Sequence, residues 1–251
     1  MAVELNLIGE VIEASTTEFT AESRELHAPP PFGSFVKVCL NGHDTPTEPK
    51  AVPVSAASLI DDDPFEGDGF RRMAGSFNTQ YSRSFEGAEE PDAKPVLSAA
   101  TYAVVYQAAT TTTDTGRRTR AYWKDEQQLN DEQPELSEWL LLTEFRAIII
   151  GHSTGGIIRQ FLPPLPPKIH AFVEPCTDAE VRMLTTRLDF LRTLANFRNA
   201  PVEEVVAACI REANRARGDN FDFLVSAGKE LAGLLKDDYD RLQAIMRRVA
   251  L

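Results

Sequence analysis

The sequence predicts an α+β chain in which a strand-rich half, broken by an acidic insertion, is followed by a helical region. Three observations predict it. Short β-branched and aromatic runs fill residues 1–43 and 101–175. Between them, 44–98 is rich in Pro, Gly, Ser, Asp and Glu and has little periodicity. From Thr177 onward the apolar spacing changes to every three or four residues, the period of a helix.

The first strands follow from local pattern. Leu5 to Ile12 is apolar and β-branched around Gly9, and Thr16 to Ala21 is a run of Thr and Phe. Pro29-Pro30-Pro31 is a stiff extended connection. Gly33 to Leu40 places Phe35, Val36, Val38 and Leu40 as a strand would.

Residues 44–95 carry 11 acidic and 5 basic side chains, a net of −6 out of −12 for the whole chain. So charged a segment buries too little apolar surface to offset its ordering entropy, and 44–98 reads as a disordered acidic insertion. It also holds Phe65, Phe70, Phe77, Tyr81 and Phe85. Two readings stay open for them: adhesive motifs that fold on a partner, or aromatics scattered along a linker.

Strands resume at Thr101 to Ala109, where Tyr102, Val104 and Tyr106 alternate with Ala103 and Val105. Thr113-Asp114-Thr115-Gly116 is a turn signal, and 117–124 would pair back from it. Pro134 to Leu142 reads as a short helix with Leu136, Trp139 and Leu140 on one face. Its polar approach, Asp125 to Gln133, is expected in solvent.

The segment Gly151-His152-Ser153-Thr154-Gly155 matches the G-x-S-x-G pattern of a serine-hydrolase elbow. That elbow needs a strand-to-helix turn in a parallel sheet, then an acid and a histidine downstream. The only later histidine is His170, and no Asp or Glu lies between it and Ser153. Ile148 to Ile150 and Ile157 to Phe161 instead flank a polar, Gly-containing turn from His152 to Gly156, which predicts a β-hairpin.

Beyond Cys176 four helices are expected. Thr177-Asp178-Ala179-Glu180 is a capping box, opening a helix lined by Val181, Leu184, Leu188, Leu191 and Ala195. Pro201, Glu203 and Glu204 open the second, lined by Val202, Val205, Val206, Cys209 and Ile210 and closed by Gly218. Phe221, Phe223, Leu224, Leu231, Leu234 and Leu235 belong to a third. Tyr239, Leu242, Ile245, Met246 and Val249 mark a fourth. Leu242, Ile245, Met246 and Val249 form one stripe, the candidate interaction surface, with Arg241, Arg247 and Arg248 outside it.

Composition narrows the function. A net charge of −12 argues against direct nucleic-acid binding, which needs clustered Lys and Arg. Arg117, Arg118 and Arg120, and the pair Arg247 and Arg248, read as a solvated turn and a helix end. Cys39, Cys176 and Cys209 make neither a disulfide framework nor a zinc site, which suits a cytoplasmic location. The four histidines lack metal-ligand spacing, the amino terminus does not read as a signal peptide, and no run approaches about 18 apolar residues. No G-x-x-x-x-G-K-[ST] occurs, so no P-loop is expected. Neither a cofactor, a metal nor a small-molecule substrate is expected.

Ile8-Gly9-Glu10-Val11-Ile12, Ser15 to Thr20 and Gly33-Ser34-Phe35-Val36-Lys37-Val38 resemble the start of the HAS-barrel of HerA-type hexameric ATPases and ATP synthase subunits. Ile157 to Leu162, followed by Pro163-Pro164-Leu165-Pro166-Pro167, is similar to its last strand and proline-rich exit. The resemblance implies that the strand segments 5–12, 16–21, 33–40, 101–109, 145–151 and 156–162 form a small six-stranded antiparallel β-barrel. The expected organisation is a barrel at 1–43 and 101–175, the insertion 44–98, and an α-helical bundle at 176–251. Where relatives carry a P-loop ATPase domain, this chain has helices. The resemblance therefore implies a non-enzymatic interaction or assembly module that engages a protein partner in DNA-processing or ring-ATPase machinery. A self-assembling structural oligomer is the alternative. A serine esterase using Gly151 to Gly155 is the remote one.

Overall fold

A computed structural model describes residues 6–39, 99–113, 121, 126–132 and 140–249. The predicted insertion, its aromatics, the basic run at 117–120, the return strand 117–124 and most of the predicted helix Pro134–Leu142 lie outside the described residues.

Among the described residues, seven strands form one sheet. They are β1 (Gly9–Ala14), β2 (Glu18–Ser23), β3 (Phe35–Cys39), β4 (Ala100–Thr112), β5 (Leu141–Thr154), β6 (Ile157–Arg159) and β7 (Phe172–Pro175). The order β2-β1-β7-β3-β4-β5, with a further pairing of β2 to β5, closes six of them into an antiparallel barrel. Closure removes the free edges that an open sheet exposes.

The predicted barrel is present, with one stave exchanged. The segment 156–162 was expected to be the sixth. It forms only the short β6, which pairs with β5 at His152, Ser153 and Thr154, beyond the barrel wall. The sixth stave is β7, between β1 and β3. The predicted hairpin exists, but its turn is Gly155-Gly156 alone, with φ of 60° and 77°. Two successive left-handed residues are what a two-residue hairpin loop of type I′ requires. β5 therefore runs through the predicted turn as far as Thr154. At its other end, Leu141 and Leu142 are strand rather than the end of a helix. The polar stretch before them forms a short helix, α1 (Glu126–Glu132).

Alternation along the strands builds two cores. Val11, Phe19, Ala21, Val36, Val38, Ala103, Val105, Phe145, Ala147, Ile149 and Val173 fill the barrel interior. Phe35, Tyr102, Val104, Tyr106, Ile148 and Ile150 point outward and join the helical core. β4 and β5 are thus buried on both faces, which is why Ile148-Ile149-Ile150 reads as a continuous apolar run. Register shifts at Ile12, opposite Ile150 and at Tyr106 are β-bulges, the local bends by which a small barrel turns its corners.

Five helices follow: α2 (Asp178–Leu184), α3 (Phe190–Asn196), α4 (Val202–Arg215), α5 (Phe221–Leu234) and α6 (Tyr239–Val249). Thr177 and Glu180 form the predicted capping box. The first expected helix is two, because Gln160 enters its middle. The Gln160 amide donates to Leu184 O (2.5 Å) and Arg187 O (2.8 Å), and its oxygen accepts from Phe190 N (3.1 Å). One side chain satisfies the end of α2 and the start of α3, whose backbone groups have no intrahelical partners. Gly33, at φ +82°, lets the β2–β3 connection meet α4, since a Cβ there would lie 2.4 Å from Ala208 Cβ. Barrel and helices share one hydrophobic cluster, so the helical region is a layer on the barrel wall rather than a detached bundle.

Candidate functional site

The helices cover β3, β4 and β5. The outer face formed by β1, β2 and the start of β7 lies on the other side of the wall, and it carries the best candidate site. A cleft of about 430 Å³ opens there, lined by Leu7, Gly9, Glu10, Ile12, Glu22, Ser23, Arg24, His170 and Phe172. His170 occupies a turn closed by Ala171 N to Lys168 O, at a φ of 66°, and its own N–H donates to Val11 O (2.8 Å). Its Nδ1 meets Glu10 Oε1 at 2.6 Å. This acid–imidazole pair joins residues 160 positions apart. Ser23, also in the lining, donates its hydroxyl to Ala28 O (3.1 Å).

The segment that leads into the cleft, from β6 to Phe172, carries a run of exposed apolar side chains. Among the described residues, ten large hydrophobic side chains are exposed, and six lie between 157 and 172: Ile157, Phe161, Leu162, Leu165, Ile169 and Phe172. Exposed apolar side chains concentrated in one segment are candidates for a contact surface, whereas single ones are ordinary. The run starts at a fixed point. His152 is 5% exposed and stacks edge-on against Phe161 at 5.2 Å. Its Nδ1 lies 3.2 Å from Phe161 O, and since a carbonyl only accepts, Nδ1 carries the proton.

Ser153, the would-be nucleophile, is fully buried in an antiparallel strand. Its hydroxyl accepts from Ala100 N at 3.0 Å. No strand-to-helix elbow forms at this serine, and His170 is engaged on β1 by Glu10.

The predicted interaction stripe faces inward. Ile245 and Val249 are buried, Leu242 and Met246 are half-buried, and all four belong to the helical core. Ion pairs rivet α6 onto α4: Arg241 to Glu203 (2.5 Å) and Arg248 to Glu204. Arg247 bonds Gln243, so the carboxy-terminal basic pair is a helix end bonded within its own fold.

A second polar cluster lies in the seam between barrel and helices. Lys37 Nζ contacts Glu180 Oε1 (2.7 Å) and Glu174 Oε2 (3.5 Å). Burial pulls the Lys37 pKa down, but the bond and charge of Glu180, aided by Glu174, hold it above the usual lysine value. Glu180 also closes the α2 capping box, so this triad ties β3 and β7 to α2. Burial, with Glu180 nearby, pushes the Cys176 thiol well up, and burial does the same to Cys209. Both are held as inert thiols. Among the described residues no group of His, Cys, Asp and Glu is arranged to hold a metal ion, and no helix is long and apolar enough to cross a membrane.

Neither a protein-family model nor a curated protein matches the chain.

Proposed function

We propose that this chain is a non-enzymatic interaction module that engages a protein partner through the exposed segment 157–172, which leads from the α2–α3 seam to the Glu10–His170 cleft. The observation that carries the reading is the concentration of exposed apolar side chains in 157–172, beside the Glu10–His170 cleft. An exposed Phe172 (46%) and Leu165 (73%) cost free energy in water that a partner would recover. The likeness of residues 8–38 to HAS-barrel proteins supports the same reading, because their barrels are assembly elements. On that likeness the machinery served would be a ring ATPase or a DNA-processing complex, with the motor supplied by another chain.

A photo-cross-linking residue at position 172, compared with one at exposed Lys229, tests the reading in native extract. A discrete adduct from 172 and none from 229 is expected. Its mass distinguishes a heterologous partner from a second copy, the self-assembling alternative. Adducts from 229 alone would sink the proposal.

A further inference from the structure

We propose that the crest Pro164-Leu165-Pro166, with Lys168 beside it, is the ligand of an aromatic-clamp groove on a partner, of the kind that grips one hydrophobic–proline dipeptide. The inference rests on the interaction-module reading and names the partner class for that surface.

The chemistry starts with the sequence. Leu162-Pro163-Pro164-Leu165-Pro166-Pro167-Lys168 holds four prolines in seven residues. Proline lacks an N–H and fixes its own φ, so such a stretch joins no sheet ladder and loses little entropy when bound. Domains that recognise it stack aromatic rings on the prolines and read the side chain beside them.

Structure selects which part is readable. The stretch is fastened at both ends: His152 bonds Phe161 O, and His170 N bonds Val11 O on β1. Pro163 and Pro167 are buried anchors. Between them Pro164, Leu165 and Pro166 are exposed, Leu165 by 73%. The chain bends at Pro164 and Leu165. A straight P-x-x-P ligand would need Pro163 or Pro167, whose rings face the protein. The Leu165-Pro166 dipeptide alone stands free for one clamp. Lys168 is exposed two residues on, and a single cation at that place favours an acid-rimmed groove and fixes the direction of docking. Because the crest is held in place by its anchors, it is pre-organised rather than ordered on binding.

The test uses the purified full chain against a panel of purified WW domains, each a two-aromatic clamp, with SH3 domains as straight-P-x-x-P controls. Saturable binding to at least one WW domain is expected by titration calorimetry. Leu165→Ala and Pro166→Ala should each weaken it about tenfold, as for truncation of a central anchor. Lys168→Glu should weaken it too, and the melting temperature should be unchanged in all three. Absence of WW binding, binding only to SH3 domains, or binding that survives Pro166→Ala overturns the assignment. Should the adduct from position 172 form undiminished in the Leu165→Ala variant, the crest proposal fails while the interaction-module reading stands. If position 172 gives no adduct either, both fail.

Discussion

Ser153 shows how one hydroxyl is held by its surroundings. It sits in β5 opposite Ala100, and its oxygen takes the Ala100 N–H. Ser153→Ala leaves that buried amide without its acceptor, and the expected cost is about 1–3 kcal/mol in denaturant unfolding. A change under about 0.5 kcal/mol would mean the serine behaves as a surface turn residue. The buried acids set a second expectation. Burial raises Cys176 and Cys209 above their ordinary value of 9.0. Burial and the Glu18 carboxylate raise Tyr106 from 10.0 to about 12. In each case the fold favours the protonated form, so the stabilisation is complete below the unfolded-state pKa and is lost as pH rises. Stability should therefore decline from about pH 9, through the cysteines first, with Tyr106 adding its share between 10 and about 12. Thermal melts from pH 7 to 11 check this; a melting temperature that is flat across that range contradicts it.

At the scale of elements, the break between α2 and α3 depends on Gln160 from outside both. Gln160→Ala removes three hydrogen bonds and should cost about 1–3 kcal/mol, with faster amide exchange at Phe190 as the local signature. Protection at Phe190 that stays unchanged would assign the break to other residues. Ile245→Asp places an unpaired charge in the α4–α6 seam, and a loss of roughly 4 kcal/mol or more is expected. A variant that melts like the parent would put that stripe on the surface.

The same elements show what the sequence makes legible. The capping box was readable because its geometry is local. The strands β1 to β5 were readable from β-branched runs, but β5 overran its prediction, since Gly151-His152-Ser153-Thr154 carries no strand signal and is paired by its neighbours. β7 was missed because Phe172-Val173-Glu174-Pro175 is four residues ending in proline, and only β1 and β3 make it a strand. Apolar spacing continues unbroken from Val181 to Ala195, so the helix break was invisible without Gln160. The Glu10–His170 pair was out of reach for a related reason: closure of the barrel, not proximity in sequence, brings the two together.

For the whole molecule, one barrel wall serves two cores. The helices cover Phe35, Tyr102, Val104, Ile148 and Ile150, while β1, β2 and the start of β7 keep the cleft, and the segment 157–172 runs to it from the α2–α3 seam. A chain ended after Cys176 would expose the covered face and should be insoluble or bind hydrophobic dye, whereas the full chain should unfold in one cooperative step. A truncated chain with native-like, cooperative melting would show that the barrel stands alone. The claim that the exposed segment 157–172 is the working surface is tested most directly by hydroxyl-radical footprinting of the full chain, purified and in native extract. Phe161, Leu165 and Phe172 should label strongly in the purified protein and lose labelling in the extract, while the exposed Phe221 and Tyr239 on the helical side label equally in both. Protection of Phe221 and Tyr239 with Phe161, Leu165 and Phe172 still reactive would place the partner on the helices and contradict the account.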